Sequence, residues 1–169
     1  PGETEELARK ADPNDHTYIV PAFSGLGAPW WRDDIYASIS GMSRTTGREE
    51  IVKAGCECIA YQINDVIDAM RKDSKIDISQ MCVDGGPTRN KYLMQFQSDI
   101  SQTEVKIPDA EELSVIGAGY LAGESAGYYD PDDIYKAITY NFFETKMQEQ
   151  ERSEKVHGWN EAVEMLLKK

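Results

Sequence analysis

Cysteine and histidine are scarce in this 169-residue chain, three and two respectively. Cys56 and Cys58 stand two positions apart in a predicted helix and Cys82 in a predicted strand, so none has metal-ligand or redox spacing. Buried structural thiols in a reducing compartment, the cytoplasm, are the expectation. His16 falls in a loop, and His157 has no second ligand at a useful spacing, so neither carries a catalytic argument. Long apolar runs are missing too: nothing approaches the roughly eighteen residues of a membrane span, and no charged-then-apolar leader opens the chain. Clusters of lysine and arginine are absent, and 18 basic against 30 acidic residues leave a net charge of −12. A nucleic-acid partner is therefore not expected, since phosphate backbones require grouped cations.

What is present suits one soluble domain with a real core, 40% hydrophobic and 28% charged. Residues 1–16 read as a polar connector with a helical turn near Glu5–Ala11, stopped at Asp12-Pro13. Thr17–Val20 is a run of β-formers closed by Pro21. Residues 22–31, AFSGLGAPWW, fit no periodic element. Phe23, Trp30 and Trp31 there either pack beneath the loop or face a partner, and packing is the expectation. Ile35 to Met42 alternates as a half-buried strand would. Thr46 with Glu49 has the spacing of a capping box, and a mostly apolar stripe through Ile51, Gly55, Cys58 or Ile59, Gln62 or Ile63, Val66 and Met70 predicts a long packing helix to about Lys72. Gln62 and Asn64 on that helix could reach a ligand, although solvent suits Asn64 better.

Residues 79–100 organise the chain. Met81-Cys82-Val83 predicts a short buried strand, Asp84-Gly85-Gly86 breaks it, and Pro87 suits the first turn of a helix carrying Leu93, Phe96 and Ile100 on its apolar face. A strand, two glycines and a helix N-terminus together can bring backbone close to a nucleotide, or can simply be a tight connection. Beyond it, Val105–Pro108 predicts a strand, residues 109–112 an acidic first helical turn rather than a metal site, and Ser114–Tyr128 a helix with a small-residue face of glycine and alanine. Residues 131–139 predict another short helix, 144–155 a highly charged segment, and Val156, Trp159, Val163 and Leu166 a closing amphipathic helix. The alternation of strands and helices argues an α/β layer fold with a largely parallel section, in which ligands gather beyond the carboxyl ends of strands.

Four blocks in order, Val20–Trp31, Ile59-Ala60-Tyr61-Gln62 with Asp65-Val66, Val83–Gly86 with Leu93–Ile100, and Gly117–Gly123, resemble the FGGY carbohydrate kinase family, in its glycerol-kinase-like branch. The Gly158-Trp159 helix is similar as well. The resemblance implies an actin-like ATPase fold of the ribonuclease-H-like α/β class, the carboxyl-terminal domain of two, lacking its first strands. It implies a partial domain over 17–139, with 140–169 closing the same domain, and an N-terminal kinase domain of the same parent as partner. ATP and Mg²⁺ are the implied cofactors, and Asp84, Gly85, Gly86 and Asn90 the implied nucleotide-binding residues, Gly86 and Asn90 touching the adenosine part. The family's catalytic Gly-Asp-Gln and phosphate-side Gly-Thr-Gly triplets do not occur here, so the resemblance implies no catalytic residue in this chain and no phosphoryl transfer by it alone. Pro87-Thr88-Arg89 departs from the small residues usual at that place, which leaves glycerol, a pentulose, a tetritol or another polyol as substrate. A xylulokinase-like enzyme and a non-kinase actin-like nucleotide module are the rivals, and a homo-oligomer is compatible with the family.

Overall fold

A computed structural model describes residues 2–109, 113–128, 130 and 138–168. Its elements are α1 (Thr4–Lys10), β1 (Tyr18–Val20), β2 (Ser38–Ser40), α2 (Arg48–Ser74), β3 (Gln80–Cys82), a 3₁₀ turn (Gly86–Arg89), α3 (Lys91–Ser101), β4 (Glu104–Pro108), α4 (Leu113–Ser125), β5 (Tyr140–Phe143) and α5 (Glu149–Leu167). Two small sheets flank the helices. In the first, β1 and β2 pair antiparallel, Ile19 opposite Ile39. In the second, β4 is central, parallel to β3 and antiparallel to β5. Among the described residues the parallel section is thus one strand pair, and β5 was not expected: its Phe142 is half-exposed and alternation across four residues is too short to register. Residues 131–137 of the short helix expected over 131–139 lie outside the described residues, as do residues 110–112 of the acidic turn expected over 109–112.

The core forms where α2, α3 and α5 meet β1 and β4. Tyr61 stacks on Trp159 at 5.2 Å and takes the edge of Phe96 at 5.4 Å, with Val20, Ile100, Val105 and Val163 closed around them. Gly158 lets α5 lie against the Tyr18 ring, whose Cζ would stand 2.6 Å from a Cβ at that position. The α2 cap lies one residue later than expected. Glu50 rather than Glu49 reaches back, accepting from Gly47 N at 2.8 Å, while the Thr46 hydroxyl donates to Asp15 and accepts from Ser43 N.

The buried face of α2 also differs from its apolar stripe. Lys53, Glu57, Tyr61 and Asn64 are buried, whereas Ile59 and Met70 are 40% and 53% exposed. Three of the polar members are tolerated because they find partners: the Asn64 amide nitrogen donates to Asp68, Lys53 donates to the carbonyl of Asp12, and Glu57 accepts from Tyr92. Asn64 is therefore not solvated, and Gln62 bonds back to the carbonyl of Cys58 rather than outward. Cys82 is exposed, unlike Cys56 and Cys58, because β3 is an edge strand. In the loop before β2, Trp30 packs against the core, but Phe23 and Trp31 are 83% and 78% exposed. Among the described residues, a Cβ at Gly117 or Gly119 on the small-residue face of α4 would meet nothing within 4 Å. No helix among the described residues is long and apolar enough to cross a membrane.

Candidate functional site

The sequence places its glycine pair just past the carboxyl end of β3, and local geometry there explains each residue. The backbone of Gly85 has φ +100°, a region L side chains rarely adopt, so glycine is required for conformation. Asp84 stabilises the bend by accepting from the Gly85 amide at 2.6 Å. Gly86 has no such constraint: a Cβ there would meet nothing within 4 Å. Its lack of a side chain keeps a cavity open. Pro87 falls in the 3₁₀ turn rather than in the first turn of α3, and Thr88 ties that turn shut by donating through both amide and hydroxyl to the carbonyl of Gly85.

Asn90 is the N-cap of α3. Its side-chain oxygen accepts from Leu93 N at 3.0 Å, and its amide nitrogen points the other way, 3.4 Å from the Thr4 hydroxyl and 3.8 Å from the Cys56 sulfur. A second early α3 amide, that of Lys91, is taken by the Glu5 carboxylate at 2.9 Å. The helix N-terminus therefore offers fewer free N–H groups to an anion than its sequence suggests, because side chains of α1 and of the cap occupy them.

Gly86 and Asn90 share a cavity of about 780 Å³. Its opposite wall is the α2 stripe of Val52, Gly55, Cys56 and Ile59, and Leu93 forms its floor. Gly55 and Ile59, which the sequence pattern assigned to core packing, thus line the open space. Apolar periodicity on α2 signalled them, but periodicity cannot tell a core from a cavity wall. Burial holds the Cys56 thiol above its ordinary pKa, assisted by nearby Glu57, so it is a neutral, soft surface rather than a nucleophile. An apolar slot with a glycine lip and one amide suits a flat ring with polar edges better than a chain of phosphates. Asp84 and Gly85 shape the turn without lining this space. Arg89 lies at the cavity's edge and is exposed.

Comparison with known proteins agrees with this architecture. The model of the FGGY family of carbohydrate kinases, C-terminal domain, matches residues 2–126. A glycerol kinase of Natranaerobius thermophilus is 46% identical over 168 residues, 98% of this chain and 33% of that protein. One from Bacillus subtilis is 41% identical over 97% of the chain and 34% of its own length. The crystal structure of Plasmodium falciparum glycerol kinase with ADP superposes with a TM-score of 0.88 at 38% identity, across 99% of this chain and 34% of that one. A xylulose kinase from Lactobacillus acidophilus, 18% identical with a TM-score of 0.76 over 98% of this chain and 34% of its own, shares the fold. The chain spans about a third of the length of the relatives it matches. It belongs to the FGGY family of carbohydrate kinases and carries the fold of that family's C-terminal domain.

Proposed function

We propose that this chain forms the adenosine-side wall of the nucleotide site in an ATP-dependent kinase that phosphorylates glycerol or a related polyol. The observation that carries the reading is the cavity at the carboxyl end of β3, where Gly86 leaves room and the Asn90 amide faces an apolar α2 wall. A purine would lie in that slot, with Asn90 donating to a ring or ribose acceptor while its oxygen keeps α3 capped. The ADP named with the Plasmodium relative supports a nucleotide as the occupant.

The polyphosphate, the polyol and the general base belong to parts of the parent protein beyond this chain, chiefly its N-terminal domain. Among the described residues no group of three or more His, Cys, Asp or Glu side chains could hold a metal ion. Mg²⁺, when bound, would be carried by the phosphates, with one or two carboxylates and water completing its shell. This chain's residues bind and orient the nucleotide, and closure of the other domain over it would exclude water. Three free thiols suit a reducing cytoplasm.

A coupled assay of the intact parent with ATP, Mg²⁺ and glycerol, erythritol, xylulose, ribulose or xylitol tests the reading. Turnover with glycerol supports it in full, and turnover with a sugar only moves the protein to the xylulose-kinase side of the family. Absence of turnover with every one would overturn the kinase assignment. The 169-residue chain by itself is expected to transfer no phosphoryl group.

A further inference from the structure

Helices α1, α2 and α3 wall off two cavities, not one. Neighbouring residues on the same three helices face a second space of about 470 Å³, adjacent in sequence on α2 and α3 and one turn along on α1. On α1, Glu5 faces the first and Arg9 the second; on α2, Cys56 and then Glu57; on α3, Leu93 and then Tyr92. The N-terminal half of α5 closes the far side with Glu151 and Lys155.

This second cavity has buried charge whose bonding is incomplete. The Lys53 residue is 7% exposed and, among the described residues, its ammonium donates to a single acceptor, the carbonyl of Asp12 at 3.0 Å. The Lys155 side chain is 17% exposed, yet among the described residues its ammonium approaches an acceptor only at Glu151, 4.0 Å away, with the Phe96 ring 6.0 Å distant. An ammonium has three donors, so both lysines keep spare ones. Glu57, 5% exposed, accepts from the Tyr92 hydroxyl and faces both lysines. Next to it the buried Tyr61 hydroxyl, beside that of Tyr18, lines an adjoining pocket that shares Glu57 and Lys155. One wall is aromatic: Tyr92 and Phe96 stack within 8° of parallel, their ring centres 6.2 Å apart.

We infer that this cavity is a binding site for a small organic carboxylate, its anionic group received by Lys155 and Lys53 and its body laid on Tyr92 and Phe96. The open donors of the two lysines support an anion. Arg9 is paired with Glu5, and Asp99 Oδ1 accepts from the amides of Lys146 and Met147. Burial pushes the Glu57 carboxyl up, against the pull of the two lysines. The Glu151 carboxylate stands 4.0 Å from the Lys155 ammonium and is more than half exposed, so donors of Lys155 stay open to a ligand. A carboxylate ligand supplies the missing acceptors.

The probe is 4-fluorobenzoate, observed by fluorine line broadening in the intact protein. It has one carboxylate for the ammonium pair and one ring for the aromatic wall. Saturable broadening is expected. Lys155→Met keeps the aliphatic stem and should weaken binding about tenfold or more, the loss of one charge-assisted hydrogen bond. Gly86→Val, which fills the other cavity, should leave the probe's affinity unchanged. Absence of saturable binding overturns the inference, as does binding that survives Lys155→Met or disappears with Gly86→Val. Circular dichroism of each variant establishes that the fold is intact. The site rests on different residues from the nucleotide cavity, so failure of one reading leaves the other standing.

Discussion

Asp65 gathers three parts of the chain. Its Oδ2 accepts from the indole of Trp30 at 3.1 Å and of Trp159 at 2.9 Å, which pins the 22–31 loop and α5 to α2. Burial raises its carboxyl above the ordinary value of 3.8, and the two indoles pull the other way. Replacing it by alanine removes the acceptor from both donors. A hydrogen bond to a charged group contributes about 1.5–3 kcal/mol. The Trp159 indole, in a residue with no exposure, cannot turn to water, while half-buried Trp30 can in part. Relief of the carboxylate's burial offsets some of the loss. A net cost of about 3 kcal/mol follows for Asp65→Ala, a large part of a typical domain stability of about 5–15 kcal/mol. Asp65→Asn keeps an oxygen for the indoles and removes the charge, so it should stay within about 1 kcal/mol of the native protein. Urea unfolding followed by tryptophan fluorescence measures both. An alanine variant within about 0.5 kcal/mol of wild type, the range of ordinary surface changes, would refute the clamp.

Three further outcomes follow from other contacts. Gly158→Ala should destabilise by about 1–3 kcal/mol, the usual cost of overpacking, because its methyl meets the Tyr18 ring; an unchanged urea midpoint would contradict that close approach. Gly85→Ala should lower stability through its φ of +100°, while Gly86→Ala should unfold like wild type because its methyl meets open space; equal unfolding midpoints would contradict this distinction. Glu57, with its native pKa raised by burial, contributes stability that is full below its ordinary 4.5 and is lost as pH climbs through the native value. Glu57→Gln should flatten that decline in a pH series of unfolding midpoints, and an undiminished slope would assign the decline to other groups.

Much of the scaffold was legible in the sequence, for reasons that particular residues make plain. β-formers before Pro21, the small run ahead of Asp84 and the spacing of Leu93, Phe96 and Ile100 each encode local structure in one short segment. The glycine pair was also legible, but not the difference between its members. Only coordinates show that Gly85 is needed for its φ and Gly86 for the space it leaves. The dual use of Asn90 as helix cap and cavity-facing amide was hidden for the same reason, since both depend on where α1 and α2 lie. Periodicity misplaced the burial of α2. That helix has buried polar residues that bond to Tyr92, Asp12 and Asp68, and an apolar stretch that borders a cavity. Strand β5 was missed because its pairing with β4 is nonlocal and its four residues are too few for a pattern.

The central claim is that the Gly86–Asn90 cavity receives the adenosine end of a nucleotide. Calorimetric titration of ADP into the intact protein, its Gly86→Val variant and its Asn90→Asp variant tests it most directly. Asp at position 90 still caps α3 but cannot donate into the cavity, so loss of binding there is not loss of the helix. The account predicts that each substitution weakens ADP by about tenfold or more, with unfolding midpoints near wild type. ADP affinity unchanged in both variants would contradict it and place the nucleotide elsewhere.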